Sequence, residues 1–545
     1  MKRILLLVVV VLSICTASAQ SVNLTSSNLP IIVINTNGQQ ILDDPKIIAD
    51  MGIIYNGPNQ RNEITDPANH YNGKIGIEIR GQSSQMFPQK SYTIELRKTN
   101  GTSSQDLSLF GLPEESDWVL YAPYTDKTLM RNFLAYTMSR ELGHWSANCR
   151  FVEVVINGDY RGVYVFMERI KRDAGRVNIT KMSKNDNAGD AVTGGYIFSL
   201  DKEPNGWFSS IKPPNASNNN TRQYSYIEPK AADITDAQKS YIKSYVDSFE
   251  FALNGSKFQD PVEGVRRFAN LSTFMDYFIV NEVSRNVDGY RLSSYFYKDR
   301  DSKDRRIVAG PVWDYDLAFR NANYCSGSDI NGWAYMFNYT CPGDGAGLVP
   351  FWWEKLMKDT AFAGGLRCRW ESARQQSLSL TRVHGLIDSV VNLLAEAQPR
   401  QHTRWPILGQ YVWPNPEPIP ANYDGEIRAL KNWVESRLLW IDRNLPNIGQ
   451  CADWTPPPGN GTLEVTSWPN PFTGNGTLYM KSKGSQSVDL EVIDMNGRHV
   501  AARKIKLVNG DNKVSLQAMG WPRGVYLVRV DNGIGEKVTL RLVKE

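Results

Sequence analysis

Short apolar or alternating runs rich in β-branched and aromatic residues fall at 29–35, 74–80, 91–96, 151–156 and 162–166, the pattern of strands set against a core. Asn157-Gly158 separates the last two of these and predicts a hairpin. Further along, apolar residues recur at three and four around 129–142, 236–253, 271–281, 386–397 and 426–444, which predicts helices. Beyond residue 461 the period returns to two and stays there. VDLEVI (488–493) and VYLVRV (525–530) alternate, and Asn-Gly turns fall at 496–497, 509–510 and 532–533. The pattern therefore predicts an α+β region of about 29–450, with its sheet mostly N-terminal, followed by a small all-β module of the immunoglobulin-like sandwich type.

The two parts meet at DWTPPPGNG (453–461), where proline and glycine accumulate. The expected division is an export leader at 1–19, a main domain at 20–452, a linker at 453–461 and the β module at 462–545. The leader is inferred from a basic start, an apolar run and a small-residue Ala-Ser-Ala site before Gln20. That run is shorter than the roughly 20 residues that cross a bilayer, so it reads as a signal for export and not as an anchor.

A net charge of only +4 speaks against nucleic acid as a partner, which calls for a concentrated basic stripe. Five cysteines follow the leader, an odd number for an exported protein. Cys325 with Cys341 and Cys368 with Cys451 are the pairs considered, leaving Cys149. Few histidines and no CxxC pair give little basis for a zinc site or a His-dependent triad.

Four segments carry polar groups that a scaffold does not require. RGQSSQMFPQK (80–90) joins two strands by a loop with Arg80 and Lys90 at its ends and Ser83 and Ser84 inside. It can offer donors and positive charge to an anion, or serve as a solvated hairpin loop. In the segment 117–132, Lys127 and Arg131 fall at i and i+4 on a predicted helix whose cap is Thr125 or Asp126. Asp126 and Arg131 forming a structural ion pair is the competing reading. Glu168, just past a strand, either orients Lys90 or Arg131 or is solvated.

The fourth segment is a pair of stretches, NEVSRNVDGYR (281–291) and GPVWDYDLAF (310–319), separated by a predicted hairpin of 294–297 with 306–309. If 313–317 is extended, Asp314 and Asp316 point to one side and suit a hard divalent cation. Asp288 is then placed to accept a hydroxyl proton or to join the metal shell. Turn caps paired with Arg285, Arg291 or Arg320 are the alternative.

Taken in order, Arg80-Gly81 with FPQK (87–90), Asp126-Lys127 with MRN (130–132), Asn157-Gly158 with GVY (162–164), GGY (194–196), NVDGY (286–290) and WDYD (313–316) resemble the spore coat protein H (CotH) kinase family across almost the whole main domain. The resemblance implies an atypical protein-kinase-like fold that uses ATP with Mg²⁺ or Mn²⁺ to phosphorylate serines of extracytoplasmic proteins. On that likeness Lys90 is the phosphate-contacting lysine, Asp288 the catalytic-loop aspartate and Asp314 the metal ligand, with Asp316 assisting. The residues themselves add Glu168 to Asp288 and Lys90 as a catalytic candidate, and Arg80, Ser83, Ser84, Lys127 and Arg131 as candidate nucleotide contacts. The chain departs from the family pattern at Ser293-Ser294, where an Asn is usual, and at Arg320, where a glycine is common.

The C-terminal module, through WPNPF (468–472), DMNGR (494–498), GVYLV (524–528) and LVK (542–544), resembles the type A sorting domain of the type IX secretion system. That likeness implies the secretion machinery as a partner, and a secreted or surface location with the outer membrane reached by attachment only. Two other functions remain open. A surface adhesin or glycan-binding protein would use aromatics such as Phe351-Trp352-Trp353 and those of 405–413. A glycoside hydrolase would use Asp288 and Asp314 about 5 to 9.5 Å apart.

Overall fold

The computed structural model describes residues 21–202, 204–446, 463–467, 470–482, 484–494, 498–532 and 537–545. The expected leader, the Pro/Gly linker, Cys451, Trp468-Pro469 and the Asn496-Gly497 turn lie outside the described residues. The chain divides into two compact units, residues 1–454 and 455–545.

In the first unit seven strands close into a barrel: β1 (Ile31–Asn35), β2 (Ile47–Ile54), β3 (Tyr71–Arg80), β4 (Ser91–Arg97), β5 (Asp117–Tyr121), β6 (Cys149–Ile156) and β7 (Asp159–Glu168). Their order round the barrel is β1-β2-β3-β4-β5-β7-β6. β1 and β6 run parallel with Ile31 opposite Glu153, while the other neighbours are antiparallel.

Ile32 and Ile34, Ile75 and Ile77, Ile94 and Leu96, and Val152 and Val154 point inward at alternate positions and are fully buried. Each such side chain contributes about 1.5 to 3 kcal/mol. The opposite face of β6 and β7, carrying Phe151, Val163, Val165 and Met167, is buried as well, in a second core shared with the helices. Burial on both faces is why these two strands read as nearly unbroken apolar runs. Asn157 and Gly158 both take positive φ, 53° and 78°, as the two-residue hairpin turn between twisted strands requires.

A second antiparallel sheet follows, made of β8 (Tyr196–Leu200), β9 (Tyr224–Glu228), β10 (Ser294–Lys298) and β11 (Val308–Ala309) in the order β9-β8-β10-β11. The expected hairpin is its β10–β11 pair, with Phe296 opposite Ala309. Among the described residues six helices of eleven residues or more build the rest: α1 (Arg131–Glu141), α2 (Asp236–Asn254), α3 (Leu271–Ser284), α4 (Thr360–Gln375), α5 (Leu380–Leu393) and α6 (Tyr423–Asn444). α2 opens on a capping box between Thr235 and Gln238, a device that contributes about 1 kcal/mol. α3 is buried on all sides and is the core helix of the unit. It ends at Arg285, whose φ of 45° turns the chain sharply into 286–290. Cys325 and Cys341 form the expected disulfide, Cys149 is a buried free thiol, and Cys368 is not free.

In the second unit Leu463–Ser467, Gly476–Ser482 and Gly510–Leu516 form one antiparallel sheet. Gln486–Asp494, His499–Leu507, Gly524–Asp531 and Lys537–Lys544 form another. Leu478, Met480 and Leu516 of the first share one core with Val488, Val492 and Val528 of the second. Asn509-Gly510, with φ of 94° at Gly510, passes the chain from one sheet to the other. The chain is thus α+β, with a β-rich N-terminal part, a helical middle and an all-β end.

Candidate functional site

A cavity of about 370 Å³ opens in the first unit, lined from the β3–β4 loop, β5, α1, the end of β8, the loop after α3 and the segment 313–317. Asp288, Asp314 and Asp316, named from the sequence as proton acceptor and metal ligands, all line it. So do Arg80, Ser83 and Ser84.

Asp288 is held by its loop. Its N–H donates to Asn286 Oδ1 at 3.1 Å, and a Cβ on Gly289 would fall 2.5 Å from Asn281 Oδ1, so glycine is required for the close return. One carboxylate oxygen pairs with Arg291 at 2.8 Å. Arg291 in turn donates to the Val287 carbonyl and lies 4.2 Å over the Phe337 ring.

The segment 313–317 is not a strand. Asp314 has φ of 64°, so the alternation expected to align Asp314 and Asp316 does not apply. The two carboxylates reach the cavity by another route, through a loop whose backbone is fastened by side chains. Asp314 N–H donates to Tyr136 Oη at 3.1 Å and Tyr315 N–H to Asn132 Oδ1 at 2.6 Å. Asn286 and Asn321 donate to the carbonyls of Asp314 and Asp316 at 3.2 and 2.8 Å.

With the backbone satisfied, the Asp314 and Asp316 side chains have no hydrogen bond or ion pair among the described residues. Burial, then the Asp288 charge, pushes the Asp314 carboxyl up. Burial, then Asp314 and Asp288, pushes Asp316 well above the usual range. Half-buried like charges with no ion pair among the described residues are costly, and a hard cation relieves that cost. Among the described residues no group of three or more His, Cys, Asp or Glu is placed to hold a metal ion. Two carboxylates do suit Mg²⁺, which keeps waters and phosphate oxygens in its remaining positions.

The β3–β4 loop supplies the other wall. Gly81 has φ of 94°, and a Cβ there would sit 2.1 Å from Ser84 Oγ, so the loop turns at this residue only as glycine. Arg80 lies 5.6 Å over the Trp313 ring. Two residues not foreseen from the sequence complete the site. Asp201 and Lys202 follow β8, Lys202 Nζ is 3.4 Å from Ser83 Oγ, and the Asp201 carboxylate accepts from the backbone of Ser293.

Other expected site residues lie elsewhere. Lys90 Nζ donates to the Gln85 carbonyl within its own loop and is not part of the cavity lining. Glu168 is fully buried, accepting from Asn148 N and Nδ2 at 2.8 Å each and facing Arg176 at 3.6 Å; it is neither solvated nor in contact with Lys90 or Arg131. α1 begins only at Arg131, so Lys127 lies in the turn before it and shares no helix face with Arg131. Lys127 donates to the Gln410 carbonyl. Arg131 pairs with Asp126, whose Oδ2 accepts the Arg131 N–H at 2.8 Å, the structural alternative named above. Arg320 and Phe319 both hold positive φ, 81° and 50°, conformations in which a glycine is unstrained. Arg320 uses its side chain to reach the Pro418 carbonyl at 2.8 Å.

Of the aromatics considered for sugar stacking, Trp352, Trp353 and Trp405 are core. Trp413 is exposed, stacks on Tyr324 at 6.1 Å and lines the cavity mouth.

The family model described as CotH kinase protein matches residues 77–441, well over half of the chain. The model described as a secretion system C-terminal sorting domain matches residues 466–545. That tail marks a secreted or outer-membrane cell-surface protein that engages the type IX secretion machinery. No helix among the described residues is long and apolar enough to cross a membrane. Among curated proteins nothing matches the chain. Among solved structures, dimeric latent PorU from Porphyromonas gingivalis is similar at 18% identity over 15% of this chain and 9% of that one, with a TM-score of 0.14. A β-glucosidase from Listeria innocua in complex with glucose is similar at 13% identity over 15% of this chain and 16% of that one, with a TM-score of 0.12. The chain thus spans less than a fifth of either structure.

Proposed function

The chain belongs to the CotH kinase protein family, and on that premise we propose that it is a surface-exposed, metal-dependent phosphotransferase that moves the terminal phosphoryl group of ATP to a serine hydroxyl of an extracytoplasmic protein. The observation that carries this reading is the pair of partnerless carboxylates, Asp314 and Asp316, facing the same cavity as Asp288. Asp314 and Asp316 hold the divalent ion, Mg²⁺ or Mn²⁺, which when bound offsets negative charge on the phosphate oxygens. Asp288, with one oxygen engaged by Arg291, orients the serine hydroxyl and takes its proton. The new P–O bond forms on the serine oxygen as the bond to the departing ADP breaks. The Gly81–Ser84 turn offers hydroxyl and backbone donors to the phosphates.

A second reading has one specific observation behind it. Trp413, exposed at the cavity mouth and stacked on Tyr324, offers a face to a sugar ring, as a glycan-binding surface protein requires.

Calorimetric titration of the purified protein with ATP and Mn²⁺, repeated on Asp314→Ala, separates the two. Metal-dependent binding that disappears in the variant supports the phosphotransferase. If the wild type binds no nucleotide at millimolar concentration, the glycan reading takes its place.

A further inference from the structure

Anionic ligands need cations that are not already used, and most basic side chains around the cavity are used. Arg291 is paired with Asp288, Arg131 with Asp126, and Lys90 and Lys127 are spent on main-chain carbonyls. Two remain. Arg80 and Lys202 line the cavity, and neither has a carboxylate partner among the described residues.

They come from different elements. Arg80 ends β3 and is fixed over Trp313. Lys202 follows β8, where its own N–H donates to Asp201 Oδ1 at 2.8 Å. Asp201 is in turn tied to the Ser293 backbone, so the Lys202 position is anchored to the loop that carries Asp288. Its ammonium leans over Ser83, at the turn opened by Gly81.

We propose that Arg80 and Lys202 form the polyphosphate clamp of this cavity, with Lys202 in the phosphate-contacting role that the sequence resemblance gives to Lys90. The inference rests on the phosphotransferase reading for its ligand, a metal-chelated nucleoside triphosphate, and the clamp is defined by the phosphate chain alone. A lysine that follows the second sheet would close on the phosphates beside the β3–β4 turn, where its ammonium already meets Ser83. Ser83 and Ser84 would then contact the same oxygens from below.

The test measures binding, not turnover. Purified full-length protein is titrated by calorimetry with Mn²⁺-ATP and, separately, with inorganic tripolyphosphate and Mn²⁺. Lys202→Met is expected to weaken both by about tenfold or more, since a charge-assisted phosphate contact is lost. Lys202→Arg is expected to retain most of the affinity, and Lys202 is exposed, so the variants keep the fold, as near-ultraviolet circular dichroism checks. Lys202→Met binding both ligands like the wild type, with Lys90→Met losing them, returns the role to Lys90 and overturns the clamp while the phosphotransferase reading stands. Lys202-dependent binding of tripolyphosphate without any binding of ATP keeps the clamp and removes the nucleotide reading. A wild type that binds neither ligand removes both.

Discussion

The loop that carries Asp288 is braced by a buried ion pair, and Arg437→Met tests that brace. Glu282 on α3 and Arg437 on α6 meet at 3.0 Å with side chains 1% and 0% exposed. Glu282 Oε2 also accepts from Ala334 N at 2.8 Å, and Oε1 from Tyr335 N at 2.9 Å and Tyr290 Oη at 3.0 Å. Arg437 donates to the carbonyls of Glu282, Ile330 and Gly332, each at 2.7 Å. Tyr290 stands two residues after Asp288, so the pair positions the loop that carries Asp288.

Replacing Arg437 with Met keeps most of the volume and removes the cation that is paired with the buried Glu282 carboxylate. The loss is about 3 to 5 kcal/mol for a broken buried pair. The three remaining donors to Glu282 hold it near the lower end. Burial raises the Glu282 carboxyl, and Arg437 is the first influence that lowers it, so the variant's carboxyl rises further. A carboxyl raised in the folded state adds stability below its unfolded value of about 4.3 and loses it as pH climbs. The deficit of Arg437→Met is therefore smaller at pH 5 than at pH 8. Urea titration followed by tryptophan fluorescence reads this directly, because Trp440 lies 4.6 Å from the Arg437 guanidinium. A deficit below about 1 kcal/mol, or one that does not change between the two pH values, refutes the argument.

The Asp314–Asp316 pair makes Mn²⁺ stabilising, and because both carboxyls are raised, protons compete with the ion: the thermal shift on adding Mn²⁺ is larger at pH 8 than at pH 5, and Asp316→Asn reduces it at both. Gly81→Ala places a Cβ against Ser84 Oγ at positive φ and lowers stability by about 1 to 2 kcal/mol in denaturant titration. His402 is buried beside Lys127 and its pKa falls to about 4. The unfolded chain takes up the proton first as pH drops through 6.5, so up to about 3 kcal/mol of stability is lost by pH 4. His402→Leu removes that part of the acid slope in a melting series.

What the sequence could disclose depended on how directly a pattern maps to position. Strands 74–80, 91–96, 151–156 and 162–166 were legible because alternation or two-sided burial writes itself into residue type, and Asn157-Gly158 because its φ values admit few other residues. β2 was hidden by Asp50 and Gly52 interrupting its apolar run. The helix expected at 386–397 begins six residues earlier, at Leu380, where Ser379 caps it through Arg382 N; His384 and Gly385 blur that first turn. Asp288, Asp314 and Asp316, singled out by residue type and spacing, line one cavity. Lys90 was misplaced because Ser91 is the residue that faces the cavity, and side chains of an extended chain switch face at every step. Asp201 and Lys202 escaped notice because β8 was not recognised, and a charged pair after an unrecognised strand looks like any loop.

The Cys325–Cys341 disulfide encloses a stretch whose groups reach back toward Asp288. Ser326 and Gly332 carbonyls hold Arg285, and Ala334 and Tyr335 amides hold Glu282. Closing a loop of this separation, 16 residues, restrains the open chain by about 3 kcal/mol. Disulfides of this kind form in oxidising compartments and stay open in the reducing cell interior. The clasp therefore acts as a record of where the molecule has been: a chain still inside the cell lacks the restraint that firms up the loop carrying Asp288, and one that has crossed the envelope carries it.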